Sequence, residues 1–546
     1  MADRSSIRDT FLVDRDAIRD FEGLTLFLAG KVDDDAGRVL ALMTKHVGEL
    51  FGDCPQVNCV DEAAVLMNAA GVVINAASID SDVQALRSAE TWMTTIVESR
   101  LLDGTRFESI AIYNLANSRI SITDIESTHV SQQSEGAQRV GAIAAARFRD
   151  RERLRLARRE LDIAASLSEG RDRGMRLCNL ANTFDHSGRW IEAYDAYARA
   201  LLADPENGNA AGNAAVLIER VIAAGWDFEG HLCSLYDHYL TLAKTNRAGT
   251  IAVAGEAAAR RFDAMALLGS HEPFAFVGDE ENTYQAWVAR HRLALVASLE
   301  GLGSSTKKGR WDTIGLRSVT TSVDSHRPPT IFGVLNVLKA DYLVARRLAF
   351  EADSLVDETG CLEQHDADPG AYTDTLDHAV YGEVSSKLVL AHRAALDVLD
   401  KTAVAVNEHL CVGDDPKKVS FRKFWFEGDG TELRSSLMRH AELATAILSM
   451  AELAIDMRRG GLYGHAQDVR NAGTHRFVVV HHGLAEVKTT ETMQAMTMDE
   501  MRRTCHQSLT VARAAFLYMV AMLETFEANK ARDRKAAVPL YLSEAR

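Results

Sequence analysis

The segment that most constrains the fold is the 30-residue stretch RLCNLANTFDHSGRWIEAYDAYARALLADP, residues 176–205. Small and large apolar residues recur at helical spacing on both sides of Gly188, and Pro205 ends the stretch. Small residues let two antiparallel helices touch, larger ones fill the gap between them, and a proline stops the second helix. The stretch therefore predicts a helix–turn–helix unit. Because one such unit cannot bury its own apolar face, it requires similar neighbours.

The spacing in this unit matches that of tetratricopeptide (TPR) repeats. YNLAN at 113–117 and GNAA at 212–215 echo the NLAN of 179–182 at offsets of 65 and 34 residues. These offsets are close to two periods and one period of a repeat of about 34 residues. We predict degenerate TPR-like helical repeats over residues 60–265, preceded by an N-terminal helical segment at 1–59.

The rest of the chain is also predicted to be helical. Turn-rich stretches, with a double proline in SVDSHRPPT, indicate a connecting helical and loop region over 266–375. The segment 331–355 is predicted to be a long amphipathic helix. Further long amphipathic segments at 379–410, 432–460 and 498–535 predict a bundle of about four helices over 376–546. With only 8 prolines in 546 residues, the expected fold is all-α.

Composition and motifs exclude several classes of function. The net charge of −16 argues against a surface that binds nucleic acid throughout, so a polyanion site has to be local. The N-terminus lacks the apolar run of a signal peptide, and no window approaches the roughly 18 uninterrupted apolar residues of a membrane span. Seven scattered cysteines indicate reduced thiols. We expect a soluble, cytoplasmic protein that does not engage membranes. Phosphate-loop, HExxH, EF-hand and GxSxG motifs do not occur in the sequence.

The stretch DVRNAGTHRFVVVHH, residues 468–482, carries the candidate chemistry. Histidine can exchange a proton with a ribose hydroxyl near neutral pH, and arginine can hold a phosphate and stabilise charge in the transition state. Together they could cleave RNA, but not DNA, without a metal. His481 and His482 have no cysteine or carboxylate cluster beside them, so we predict neither a metal site nor a cofactor.

The Arg–His spacing by itself has low specificity, because Arg434 with His440, Arg459 with His465, and Arg476 with His481 fit it equally well. A histidine packed against a neighbouring helix is the alternative interpretation of His475. Residues i and i+5 also differ by about 140° around an α-helix, so Arg470 and His475 cannot share one helix face.

RNAGTH, at 470–475, resembles the RxxxxH motif of the HEPN superfamily. LDVLDKTAVAVNEHL (396–410), VSFRKFWF (419–426) and VRNAGTHRFVVVHHG (469–483) resemble, in order, landmarks of a bacterial subgroup with TPR-like repeats upstream. The resemblance implies a metal-independent endoribonuclease, a toxin or antiviral effector, whose cleft lies at a symmetric homodimer interface. It implies Arg470 as the phosphate contact, Asn471 as the orienting residue and His475 as the proton-transfer residue. Gly473 departs from the pattern, because glycine disfavours a helix by up to about 1 kcal/mol.

The predicted function is therefore a metal-independent HEPN endoribonuclease that cleaves RNA and is regulated by a protein at its TPR-like region. The alternative is a non-catalytic TPR/HEPN scaffold that dimerises and binds a protein or nucleotide ligand.

Three further features have two interpretations each. The basic loop of Lys417, Lys418, Arg422 and Lys423 either contacts RNA through Phe421, Phe424 and Trp425 or is seated by those rings, which we favour. Asp400–Lys401 indicates an internal ion pair or a helix surface. The arginines at 147, 151, 155 and 158 form an anion-binding stripe or, as we favour, a solvated helix.

Overall fold

A computed structural model describes residues 15–52, 54–226, 231–269, 283–296, 299, 312–321, 328–356, 378–428, 430–481 and 489–532. The chain divides into two compact units. The N-terminal unit comprises Met1–Leu217 and His238–Leu267, and the C-terminal unit comprises Ile218–Asp237 and Leu268–Arg546. Much of the predicted connecting region, with Cys361, lies outside the described residues, and the four-segment division of the chain stays a prediction.

The first half of the described chain is a succession of helices. They are α1 (Arg15–Ala29), α2 (Ala36–Phe51), α3 (Val60–Asp80), α4 (Val83–Ser99), α5 (Glu108–Gln132), α6 (Gly136–Arg149), α7 (Arg151–Ser166), α8 (Gly170–His186), α9 (Trp190–Ala203), α10 (Gly208–Ala223), α11 (His231–Thr245) and α12 (Arg247–Ala264). Most pack on the next helix along the chain, as α2 does on α3 and α8 on α9, while α5 also packs on α7. Local packing of this kind is typical of helical-repeat proteins.

The helix–turn–helix predicted for residues 176–205 is present as α8 and α9. Gly188 joins them with a φ of +74°, a left-handed conformation that glycine adopts without strain. Leu177 and Phe184 on one helix, and Ala193 and Tyr197 on the other, are buried as the pattern predicts. The assignment of these helices as TPR repeats stays a prediction.

The echoed asparagines contact one another across neighbouring helices. The side-chain amide of Asn179 donates to the Tyr113 hydroxyl at 2.8 Å and to Asn117 Oδ1 at 3.0 Å. Asn213 Nδ2 donates to Asn182 Oδ1 at 3.1 Å. The similar segments of the sequence are therefore joined by hydrogen bonds between polar side chains within the N-terminal unit.

The arginine stripe at 147–158 is not a solvated helix face. Arg147 and Arg158 are buried, and Arg147 Nη1 donates to Asp124 Oδ1 at 2.7 Å. Arg155 Nε donates to Glu152 Oε2 at 2.8 Å. Because two of the four arginines lie inside the unit, they form neither a continuous anion-binding stripe nor the exposed face that we favoured.

The C-terminal unit combines long helices with a small sheet. Its elements are α13 (Thr283–Arg290), α14 (Thr330–Asp353), β1 (Ala379–Val380), α15 (Glu383–His409), α16 (Phe421–Phe424), α17 (Ser435–Met438), α18 (Ala444–Asp456), α19 (Gly464–His475), β2 (Phe477–His481), β3 (Met493–Thr497) and α20 (Met498–Arg532). Helices α14 and α20 pack along α15, and α18 packs on α20. The fold is mainly helical, as predicted.

The small sheet was not predicted. Strand β2 pairs antiparallel with β1, where Ala379 faces His481, and parallel with β3, where Phe477 faces Met493. Its sequence, FVVVH, is rich in the β-branched and aromatic residues that favour strands. Strand β2 begins two residues after His475, the last residue of the candidate motif, so the chain passes from α19 directly into the sheet.

Two helices, α3 and α20, are long and apolar enough to cross a membrane if only length and composition are considered. In each of them 72% of the most apolar window is buried inside the protein. Both are therefore core helices of their units.

Candidate active site

Helix α19, which carries the candidate motif, is held against α15 and α20. Its inner face consists of Ala466, Val469 and Ala472, all of them buried. The buried His392 of α15 joins the three helices, because its Nε2 lies 2.9 Å from the Ala466 carbonyl and its Nδ1 lies 2.9 Å from the Ser508 hydroxyl. A carbonyl can only accept, so Nε2 of His392 carries the proton.

This junction is expected to weaken in acid. Burial lowers the pKa of His392 to about 4, although the bond to Ala466 opposes that change. Between its ordinary pKa of about 6.5 and pH 4, the unfolded chain binds a proton that the folded chain excludes, so the free energy of unfolding falls as pH falls. The lowering of the His392 pKa from about 6.5 to about 4 corresponds to roughly 3 kcal/mol in the free energy of unfolding. Hydrogen exchange of the α15 and α19 amides, followed from neutral to acidic pH, should show this loss in the wild type and a smaller one in His392→Gln. Equal pH dependence in both proteins would contradict it.

Gly473 is explained by the packing of α19 on α15. A Cβ at this position would lie 3.2 Å from Val389 Cγ1 and 3.3 Å from Arg393 Cδ. Glycine therefore allows a close approach of the two helices, and this gain offsets its low helix propensity. The departure from the family pattern is a packing feature.

We expect Gly473→Leu to destabilise the C-terminal unit by about 1–3 kcal/mol, because the larger side chain has to displace Val389 and Arg393. The matched control is Thr474→Leu, which adds a similar side chain at the exposed neighbouring position. Its effect should stay within about 0.5 kcal/mol. Thermal unfolding midpoints measure both changes, and equal midpoints for the two variants would exclude the close approach.

Arg470 is oriented by two carboxylates of α15. Its Nη2 donates to Asp397 Oδ1 at 2.5 Å and to Asp400 Oδ2 at 3.0 Å. Burial lowers the pKa of Arg470, but the two carboxylates raise it by more, so the net change is upward. The guanidinium is therefore a permanent cation held in one orientation.

Asp400 connects the three family landmarks in space. Its Oδ1 accepts from the Phe421 backbone N–H at 2.9 Å, while its Oδ2 accepts from Arg470. The Asp400 carboxylate thus joins its own segment, 396–410, to the segments that contain Phe421 and Arg470. Lys401 is exposed and pairs with Asp341 of α14. Of the two interpretations of Asp400–Lys401, the internal ion pair is therefore wrong, and the helix surface describes Lys401.

The two carboxylates use only Nη2 of Arg470. Within the described part of the chain, its Nε and Nη1 donors have no hydrogen-bond partner, and so three N–H groups remain for an anion. Asn471 is exposed, and its Oδ1 accepts from Gln467 Nε2 at 3.0 Å. This contact orients the amide and leaves its own N–H groups for a ligand.

His475 is the last residue of α19 and its side chain is exposed. Among the described residues its ring has no hydrogen-bond or ion-pair partner, so it is not the packed structural histidine of the alternative interpretation. Arg470 instead faces α15. Asn471 and His475 are four residues apart and lie on the same exposed face of α19, whereas Arg470 is about 140° from His475 around the helix.

Arg393 supplies a second cation that the motif does not contain. It lies on α15 one turn before Asp397, and its Cδ reaches the position of Gly473. In the described ranges its guanidinium has no hydrogen-bond or ion-pair partner. Arg393, Asp397 and Asp400 occur at helical spacing, i, i+4 and i+7, so this polar face could have been found from the sequence.

Two of the three competing Arg–His pairs, Arg434 with His440 and Arg476 with His481, are less suited to chemistry. Arg434 is engaged by both oxygens of Asp414 at 2.6 Å and stacks on the Phe424 ring. His481 is buried in β2, and His482 lies outside the described residues. Arg434 therefore closes a loop, and His481 belongs to the sheet.

The basic loop is seated by its aromatic residues. Phe421, Phe424 and Trp425 are buried and stack edge to face, whereas the four cations of the loop are exposed. Buried rings cannot stack on bases. The interpretation of these rings as an anchor for the loop is therefore supported, and base stacking by them is excluded.

Comparison with known proteins gives one match. Residues 322–525 match the family model described as LA2681-like HEPN, which spans α14 to most of α20. No curated protein and no solved structure matches the chain. A domain of this kind supports a nuclease or RNA-related role in general. The resemblance of the landmarks is thereby confirmed at the level of the domain, and the chain carries an LA2681-like HEPN domain over residues 322–525.

Proposed function

We propose that the protein is a metal-independent endoribonuclease in which Arg470, Asn471 and His475 are the active residues. The proposal rests on the polar atoms of the motif that the fold leaves available. Arg470 is held in one orientation and still has three free N–H donors, while the His475 ring is exposed and uncommitted in the described structure. A purely structural arginine and histidine would use their polar atoms inside the fold.

The chemistry follows from these groups. In RNA the 2′-hydroxyl attacks the adjacent phosphorus, the bond to the 5′-oxygen breaks, and a 2′,3′-cyclic phosphate and a 5′-hydroxyl are formed. The neutral imidazole of His475 takes the 2′-hydroxyl proton, and the imidazolium formed in this way gives a proton to the departing 5′-oxygen. Arg470 stabilises the phosphorane oxygens, and Arg393 adds charge that offsets Asp397 and Asp400. Asn471 orients the phosphate.

A homodimer is part of this proposal. His475 and Arg470 lie on different sides of α19, so a second copy of the chain is needed to bring the two types of group together. The surface beside His475 suits such a contact, since Phe477 and its strand partner Met493 are 69% and 41% exposed. A paired apolar surface of this kind favours association.

Complementation tests the shared site. Chains with Arg470→Ala and chains with His475→Ala should each be inactive alone. Mixed after partial unfolding and refolding, they should regain part of the wild-type activity, because one cleft of the heterodimer receives an intact Arg470 and an intact His475 from different chains. A mixture as inactive as the separate variants would show that each site is built within one chain.

The proposal also includes regulation of the endoribonuclease through the N-terminal unit. The helical N-terminal unit would hold a protein regulator, and the enzyme would act on RNA in the cytoplasm as a toxin or antiviral-defence effector. Unregulated expression would then arrest growth, and His475→Ala would relieve the arrest.

The direct test is incubation of purified full-length protein with total RNA and, separately, with single-stranded DNA in EDTA, alongside an induced-expression growth assay. The proposal predicts RNA fragments with 5′-hydroxyl ends, intact DNA, and growth arrest. RNA left intact in EDTA together with normal growth on induction would exclude the enzyme and favour the scaffold alternative.

A further inference from the structure

Three metal-binding side chains from separate segments of the C-terminal unit converge. His291 follows α13, Asp353 ends α14, and His506 lies on α20. Their ligand atoms all lie within 4.8 Å of one another, and none of the three residues belongs to the Arg470 site. Because the ligands are more than 60 residues apart in sequence, no motif spacing reveals them.

We propose that His291, Asp353 and His506 bind a divalent transition-metal ion of the Zn²⁺ class. Two imidazoles and one carboxylate are a ligand set that such ions accept, with one position left for water. The site would join the chain after α13 to α14 and α20, and its primary role would be to stabilise this junction.

The carboxylate is already oriented by neighbouring donors. Trp287 Nε1 donates to Asp353 Oδ2 at 2.9 Å, and Arg502 Nε donates to Asp353 Oδ1 at 2.9 Å. Asp353 is also buried. Outer-shell donors that hold a ligating carboxylate in place are a regular feature of metal sites.

The two imidazoles face each other beside this carboxylate. The His291 and His506 ring centroids are 4.4 Å apart, and His506 Nε2 lies 2.6 Å from Asp353 Oδ2. The partly buried His291 ring has no hydrogen-bond partner among the described residues. A metal would be held by an unprotonated Nε2 of His506, with any proton on that nitrogen released to solvent and the single proton of the neutral ring on Nδ1. His291 gains the partner that it lacks.

The charges favour a transition metal over Mg²⁺ or Ca²⁺. The site offers a single carboxylate, and Arg502 shares it, so little negative charge remains for a hard cation that prefers six or more oxygen ligands. Imidazole nitrogen suits Zn²⁺, Co²⁺, Ni²⁺ and Cu²⁺. The site should therefore bind these transition-metal ions in preference to Mg²⁺ and Ca²⁺.

Cobalt titration of the full chain tests the proposal, after removal of any affinity tag and of bound metal by EDTA and dialysis. We expect saturable 1:1 binding with visible absorption bands, displaced by Zn²⁺ and not by Mg²⁺, and a higher unfolding temperature with Zn²⁺. His291→Ala and His506→Ala should each weaken Co²⁺ binding by about tenfold or more. His465→Ala, an exposed histidine of α19, should not change it.

His291→Ala keeps the proposal falsifiable, because it leaves the contacts of Asp353 with Trp287, Arg502 and His506 intact. Absence of saturable Co²⁺ binding by the wild type, or binding unchanged in both histidine variants, would overturn the proposal. Displacement of Co²⁺ by Mg²⁺ at equal concentration would overturn the assigned metal class. RNA cleavage in EDTA is a separate readout, so the metal site and the endoribonuclease can fail independently.

Discussion

Replacement of His475 with alanine is expected to reduce RNA cleavage by about 100- to 10,000-fold, the range that a positioned general acid or base contributes. The exposed ring makes no described contact that holds the fold together, so the variant should retain the wild-type unfolding temperature. Cleavage of a labelled RNA in EDTA, with quantified initial rates, measures the effect.

His465→Ala is the matched control for this prediction, because it removes another exposed histidine from the same helix. It should cleave RNA at nearly the wild-type rate. Equal losses in the two variants would show that α19 is sensitive to any change on its surface, and wild-type activity in His475→Ala would remove this residue from the mechanism.

Arg470→Ala is expected to lose about 100- to 1,000-fold in cleavage rate, the loss seen when one donor to a developing oxyanion is removed. Asp397 and Asp400 would then lose their shared partner, but their side chains are 54% and 33% exposed, so water can solvate them and the fold should persist. Initial cleavage rates and the unfolding temperature test both statements.

Two further variants separate charge from geometry. Arg470→Lys keeps one positive charge but cannot bind both carboxylates and a phosphate through a planar fork, so it should recover only a small part of the activity. Arg476→Ala removes an exposed arginine directly after the last residue of α19 and should have little effect. Full activity in Arg470→Lys would reduce the role of Arg470 to general electrostatic attraction.

The sequence predicted the long helices well, because their periodic apolar faces are local features. Segments 331–355, 379–410 and 498–535 were expected to be helical, and α14, α15 and α20 occupy them with shifts of a few residues at their ends. The segment 432–460 was expected to be one helix, yet it contains α17, a 3₁₀ turn at Ala441–Leu443 and α18. Contacts with residues outside this segment accompany the interruption of the helix. Arg434 binds Asp414, and the His440 ring packs against Phe526 of α20.

The candidate site could be predicted only in part. Arg470, Asn471 and His475 lie within six residues, and a family pattern is enough to find them. Asp397 and Asp400 precede Arg470 by about 70 residues, and only the packing of α15 on α19 shows that they hold the guanidinium. The proposed metal ligands His291, Asp353 and His506 lie in three separate segments, 62 and 153 residues apart, so no motif spacing predicts a metal site there.

The most direct test of the proposed chemistry compares an RNA oligonucleotide with the same oligonucleotide carrying a 2′-O-methyl group at the cleaved position. Wild-type protein and His475→Ala are assayed on both in EDTA. We predict that only the wild type cleaves, that it cleaves only the unmodified RNA, and that the products end in a 2′,3′-cyclic phosphate and a 5′-hydroxyl. Cleavage of the methylated oligonucleotide, or products with a 5′-phosphate, would contradict catalysis by Arg470 and His475 through the 2′-hydroxyl.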